Sequence, residues 1–162
     1  MPPEKSRTSG ESLASMAYIM HNSIQAARPM PPKVVLVADD DPEFRFLLTL
    51  ILATDPTVGV LLEARNGEEA IDLARRERPD VLVTDIMMPG LDGLAVTRQI
   101  KHQWPETKVV AISAATDYRE LAYEHGADAF VSKGDLTTAL LPLIREFPGR
   151  AREADEEQTS AG

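Results

Sequence analysis

Five short apolar runs punctuate the chain, and helical periodicity follows each of them. The first, residues 34–38 (VVLVA), is continuous and rich in β-branched side chains, the mark of a strand covered on both faces. Pro42 then stands where the first turn of a helix tolerates it, and Phe44, Leu47, Leu48 and Ile51 recur at helical spacing. Residues 58–63 give a second strand. Asn66 reads as a helix N-cap with Glu69 three residues on, as in a capping box, and Ala70, Ile71, Leu73 and Ala74 supply the apolar side until Pro79 stops the helix. A third strand covers residues 81–84. A loop with Pro89, Gly90 and Gly93 follows, then a helix burying Leu94, Val96, Ile100 and Trp104. Residues 109–112 make the fourth strand, 117–125 a short helix ended by Gly126, and 129–131 the fifth strand. Leu136, Leu140, Leu143, Ile144 and Phe147 line a final helix, in which Pro142 predicts a kink or a later start.

Strands and helices alternating in this way build an α/β fold: a doubly wound, five-stranded parallel sheet with helices on both faces and right-handed crossovers. Residues 34–147 are the part able to bury a core. Residues 1–33 form an N-terminal extension, expected to be disordered or partly helical, with Leu13, Met16, Ile19 and Met20 spaced for a docking helix. It closes in RPMPPK, where clustered prolines favour an extended linker, and Met30 is a possible alternative start. Residues 148–162 have little apolar content beyond alanine and read as a solvated acidic tail.

Charge narrows the partners. Of 162 residues, 17 are Lys or Arg and 26 Asp or Glu, a net charge of −9, so direct nucleic-acid binding is not expected. The absence of Cys excludes disulfides, zinc-thiolate sites and cysteine nucleophiles, and fits the expected cytoplasmic location. No apolar stretch approaches the roughly 20 residues of a membrane span. Residues 13–20 follow Lys5 and Arg7 but are interrupted by Ser15 and lead into His21 and Asn22, which is not the pattern of a cleaved signal peptide.

In parallel sheets of this class, ligands bind at the carboxyl ends of the strands. Strand one ends in Asp39-Asp40-Asp41, strand three at Asp85, strand four at Ser113 and strand five at Ser132-Lys133. Strand two ends in Glu63-Ala64-Arg65, which does not stand out, so it is expected at the outside of the sheet. Clustered carboxylates repel one another unless a cation intervenes. All-oxygen ligation with several waters suits Mg²⁺. A phosphoryl group could then approach Asp85 as nucleophile, its oxygens shared among Mg²⁺, the Ser113 hydroxyl and the Lys133 ammonium.

The segments VVLVADDDPEFR, VLVTDIMMPGLDG, VVAISA and DAFVSKGD, in this order and spacing, resemble the receiver domain of bacterial two-component response regulators, the CheY-like family. The resemblance spans about residues 33–147 and implies the flavodoxin-like strand order 2-1-3-4-5. It implies Asp85 as phospho-acceptor, Asp40 as a direct Mg²⁺ ligand, Asp39 acting on the metal mainly through water, and the Met87 carbonyl completing the protein ligands. Ser113 matches the switch hydroxyl, Lys133 the family's lysine and Phe130 the switch aromatic. It further implies a phosphohistidine donor, either a sensor histidine kinase or a histidine phosphotransfer protein. A downstream protein target, with homodimerisation as one option, would read the face made by the fourth core helix, the fifth strand and the fifth core helix. With no output domain in view, a stand-alone receiver is expected.

Two departures matter. Lys133 is followed by Gly134 where many members have proline, which puts their cis peptide in doubt. Met87 and Ala115, two residues after Asp85 and Ser113, cannot orient an attacking water, so slow self-dephosphorylation is expected. Ala114 leaves the pocket open to small donors such as acetyl phosphate.

Other readings compete. Asp41, just before Pro42, is expected simply to cap the first core helix. The side chains of Met87, Met88 and Trp104 are expected to pack, with only the Met87 carbonyl functional, and the three histidines share no spacing with the acids. A binding module that is never phosphorylated, or an aspartyl phosphatase with Asp39 as nucleophile and Asp41 as general acid, would use the same strand end. The phosphatase usually carries a cap insertion, which this core is too short to include.

Overall fold

The computed structural model describes residues 10–26 and 30–152, in two compact units, one ending at Met30 and one starting at Pro31. The first contains helix α1 (Gly10–Ala26), on which Leu13, Met16, Ile19 and Met20 are all exposed. Residues 1–9 and 27–29, including part of the expected linker, lie outside the described residues. No described helix is long and apolar enough to cross a membrane.

In the second unit, strands β1 (Lys33–Ala38), β2 (Val58–Ala64), β3 (Val81–Asp85), β4 (Lys108–Ser113) and β5 (Ala129–Ser132) form one sheet. They pair in parallel in the order β2-β1-β3-β4-β5, with β2 at an edge as its plain strand end suggested. The intervening helices are α2 (Pro42–Ala53), α3 (Gly67–Glu77), α4 (Gly93–Gln103), α5 (Arg119–Glu124) and α6 (Leu136–Glu146). Strand alternation sends Val35, Val37, Val83 and Ile112 to the face covered by α2 and α6, where Leu48, Leu52, Leu140 and Ile144 meet them. Leu36, Ala38 and Leu82 face α3 and α4, against Ala70, Ile71, Val96 and Ile100. Burying such side chains, at about 1.5–3 kcal/mol each, holds the layers together.

The elements differ from the sequence expectation in small ways. Glu69 donates its backbone N–H to the Asn66 side chain at 2.8 Å, but its own carboxylate accepts from Arg65 N–H at 3.0 Å, one residue earlier than in a standard capping box. The helix expected over 117–125 is a 3₁₀ turn (Thr116–Tyr118) followed by α5, because Ala115 and Tyr118 offer no side-chain cap to start an α-helix. Helix α6 starts at Leu136 and runs through Pro142.

The segment after α6 departs most. Residues 148–152 are not a solvated tail but dock at the amino-terminal edge of the sheet; residues 153–162 lie outside the described residues. Asp80, just before β3, is buried and accepts from Val34 N–H (2.8 Å), Arg150 N–H (3.0 Å), Arg150 Nε (3.1 Å) and Arg152 Nη1 (2.9 Å). Asp55, before β2, binds Thr57 and Arg145 Nε, the latter at 2.6 Å. Asp128, before β5, meets Lys101 at 3.0 Å and Lys108 at 3.7 Å. Gly149 fits because a Cβ there would lie 2.2 Å from the Pro31 carbonyl oxygen.

Candidate functional site

The opposite edge of the sheet carries the predicted chemistry. Asp39 follows β1 with its side chain fully buried, and Asp40, one residue on, is exposed. Asp85 ends β3 at 4% exposure. One carboxylate oxygen from each of Asp39, Asp40 and Asp85 lies within 4.8 Å of the others. Lys133, after β5, reaches in with Nζ 3.3 Å from Asp85 Oδ2 and 3.5 Å from Asp39 Oδ2, and sits 4.0 Å above the centre of the Phe44 ring. Residues from three strand ends far apart in sequence therefore meet.

Local structure fixes them. The Asp39 backbone N–H donates to Ala64 O at 3.2 Å, and Asp39 Oδ1 accepts from Asp41 N–H at 2.9 Å. Asp41 caps α2 as expected, accepting from Glu43 and Phe44 N–H, which occupies the carboxylate a phosphatase would need as acid. After β3 the chain turns sharply: Met87 N–H donates to Asp85 Oδ1 at 3.2 Å and Gly93 N–H to Ile86 O at 2.9 Å. Gly90 takes φ +77, and a Cβ on Gly93 would lie 2.0 Å from the Asp85 carbonyl oxygen, so only glycine lets α4 start this close to the acceptor loop. A groove of about 530 Å³ lined by Asp40, Met87, Pro89, Leu94 and Tyr118 opens beside the cluster.

The electrostatics are unbalanced. Burial raises the Asp39 pKa, with Asp85 and Asp40 adding to the rise and Asp41 N–H and Lys133 opposing it. Burial likewise raises the Asp85 pKa, against the pull of Lys133 and of Met87 N–H. Asp39 Oδ2 is buried and, among the described residues, makes no hydrogen bond, the Lys133 ammonium standing off at 3.5 Å. Three carboxylates facing one ammonium leave a surplus of two negative charges, the charge of one divalent cation. An oxygen-only donor set with a buried oxygen that makes no hydrogen bond fits a hard cation such as Mg²⁺.

The remaining predicted residues sit nearby. Ser113 is fully buried at the end of β4, beside Ser132 in the sheet register, and its Oγ accepts from Ala115 N–H at 3.1 Å. Phe130 is already buried among Ile86, Leu94, Ala111 and Ala122, with the Arg119 guanidinium 4.8 Å over its ring. Contrary to expectation the Met87 side chain does not pack in the core: it is 59% exposed at the groove beside the acids, whereas Met88 and Trp104 are buried as expected. The described residues contain no cis peptide, Lys133-Gly134 included.

Sequence reasoning passed over Phe44, Arg45 and Glu63. Arg45 Nη1 donates to the Asp39 carbonyl at 2.7 Å, and its Nε lies 3.3 Å from Glu63 Oε1. An arginine one helical turn after the cap of α2, opposite an acid ending the neighbouring strand, is the signal that could have revealed the pair.

Comparison with known proteins identifies the family and the fold. The family model described as the response regulator receiver domain matches residues 35–144. A protein-glutamate methylesterase/protein-glutamine glutaminase of Myxococcus xanthus is 45% identical over 117 residues, covering 72% of this chain and 32% of that protein. A protein of the same name from Nitrosospira multiformis is 45% identical over 87 residues, 54% of this chain and 24% of its own. The chain thus spans a third or less of the length of these curated relatives. Among solved structures, the response regulator domain of Thermotoga maritima CheB superposes with a TM-score of 0.65 at 29% identity, covering 72% of this chain and 96% of that one. The signal receiver domain of the response regulator NarL from Mycobacterium tuberculosis gives 0.64 at 30% identity, covering 72% and 98%.

Proposed function

The chain belongs to the response regulator receiver domain family, and on that premise we propose that Asp85 accepts a phosphoryl group from a phosphohistidine on a sensor histidine kinase or histidine phosphotransfer protein. The observation that carries this reading is the cluster of Asp39, Asp40 and Asp85, three acids facing one lysine, with Asp39 Oδ2 buried and making no hydrogen bond among the described residues. Asp40, Asp85 and the Met87 carbonyl would hold Mg²⁺ directly and Asp39 mainly through water. The ion would supply neutralising charge to the oxygens of the transferred group.

An Asp85 carboxylate oxygen forms the new P–O bond as the P–N bond to the donor imidazole breaks; the bonding pair returns to the ring nitrogen, which takes up a proton. Lys133, already 3.3 Å from Asp85 Oδ2, holds that carboxylate and then a phosphoryl oxygen. The Ser113 hydroxyl, now accepting from Ala115 N–H, turns its O–H towards another. The product adds about −1.5 to −2 charge. With Phe130 already buried under Arg119, the motion left to phosphorylation is that of Ser113 and its loop, passed on to the α5–β5–α6 face, where a downstream protein or a second copy would bind.

The test is mass spectrometry with acetyl phosphate and Mg²⁺. A phosphoryl adduct is expected on the wild-type chain, absent without Mg²⁺ and absent in Asp85→Ala; an adduct that survives Asp85→Ala refutes the assignment. Because Met87 and Ala115 place no polar side chain for water, the purified phosphoprotein is expected to persist for minutes or longer, and decay within seconds would contradict this. A second reading follows the higher identity to the methylesterase relatives: the domain controls a protein-glutamate methylesterase. Phosphorylation-dependent stimulation of such an activity by this chain would support it.

A further inference from the structure

We propose that Arg45, oriented by Glu63, is a positioning residue that aims Asp40 at the metal; the inference rests on the Mg²⁺ reading above. Asp40 is the exposed member of the triad, and among the described residues its carboxylate makes no hydrogen bond or ion pair. Nothing grips the side chain, so its direction is set by the backbone that carries it. That backbone is held at the Asp39–Asp40 peptide, whose carbonyl oxygen accepts from Arg45 Nη1 at 2.7 Å, while the Asp39 N–H is bound to Ala64 O at 3.2 Å.

The guanidinium is pinned at two edges. Nη1 serves the carbonyl and Nε lies 3.3 Å from Glu63 Oε1, with the arginine side chain 13% exposed. A rigid planar fork held at two points leaves the peptide plane little freedom, which a lysine ammonium could not reproduce. Glu63 pairs with Val37, and Ala64 with Ala38, in the β1–β2 register. The edge strand β2, whose tip carries no ligand of its own, therefore acts on the Asp39 main chain twice: directly through Ala64 O, and through Glu63, which orients the α2 residue Arg45.

Two explanations of Arg45 make opposite predictions. If it acted as a positive charge beside a cation site, removing it would strengthen Mg²⁺ binding. If it positions the loop, removing it weakens binding, by the roughly 10–100-fold typical of residues that orient metal ligands.

The experiment measures Mg²⁺ affinity by calorimetry on the full chain, together with the magnesium-free melting midpoint, for wild type, Arg45→Ala, Arg45→Lys and Glu63→Ala. Arg45→Ala and Arg45→Lys are expected to bind about tenfold more weakly and Glu63→Ala several-fold, with Glu63→Ala adding nothing in the Arg45→Ala background. The magnesium-free midpoint is expected to change little. Equal or tighter binding by Arg45→Ala overturns the proposal, as does wild-type affinity in Arg45→Lys. A lowered midpoint with unchanged affinity of the folded protein makes Arg45 merely structural and also overturns it. If wild type itself binds no Mg²⁺, the metal reading falls and takes the inference with it. Wild-type binding with unaffected variants removes only the inference.

Discussion

The two ends of the sheet each gather three aspartates, and they treat them in opposite ways. At the amino-terminal edge, Asp55, Asp80 and Asp128 face Arg145, Arg150, Arg152, Lys101 and Lys108. Burial pulls the pKa of Asp55 and Asp80 upward, but hydrogen bonds from Thr57 and Arg145 in one case, and from Val34 N–H, Arg152 and Arg150 in the other, hold both below the ordinary 3.8. At the carboxyl edge, Asp39, Asp40 and Asp85 have Lys133 as their one cation among the described residues, and the pKa values of Asp39 and Asp85 are raised. Acids that close a structure are over-supplied with donors. Acids kept for a ligand are left short of them, and the shortage costs stability.

The contrast can be broken at either end, and the amino edge should respond most. Arg150→Ala with Arg152→Ala strips Asp80 of both cations and is expected to destabilise the domain by about 3 kcal/mol in urea unfolding. A loss near zero would show the clamp to be decorative. Next comes the carboxyl edge with its missing charge restored: Mg²⁺ at a hundred times its dissociation constant should add about 2.7 kcal/mol of stability. The gain should vanish in Asp40→Asn.

A smaller effect has the opposite sign to ordinary mutational damage. Because the folded pKa values of Asp39 and Asp85 lie above the unfolded value, their charged forms oppose folding at neutral pH. Asp85→Asn should therefore raise the magnesium-free melting midpoint by a few degrees at pH 7, and the advantage should fade as the pH falls through the raised folded value and be gone below 3.8. Asp55 and Asp80 behave in reverse: their stabilisation is complete above 3.8 and is lost as the pH falls through their lower folded values. A midpoint that Asp85→Asn lowers at pH 7 would refute the distinction between the edges. Smallest of all, Phe44→Leu removes the ring under Lys133 and should cost about 0.5–1 kcal/mol.

These edges were unequally legible in the sequence. The carboxyl edge could be read because parallel strands bring their ends to one rim, so that apolar runs followed by Asp39, Asp85, Ser113 and Lys133 predict a meeting without any packing detail. Even there, Phe44 and Arg45 stayed hidden, since which side of α2 faces the rim depends on how the helix lies across the sheet. The amino edge was almost silent. Arg150 and Arg152 stand in a stretch whose average composition is that of a solvated tail, and Asp80 precedes β3 like any turn acid. Their pairing depends on where the chain goes after α6, which local periodicity does not encode. Helix α5 was over-extended for a similar reason: apolar spacing marks a helix's interior, while its start depends on a capping group that Ala115 lacks.

One contact at the amino edge has a wider consequence. Gly149 packs onto the Pro31 carbonyl, so the polypeptide enters and leaves this module through a single doorway, at the pole opposite Asp85. A unit hung from one stalk can be spliced into a loop of a host protein, or have its ends joined and new ones opened elsewhere, without disturbing its working rim.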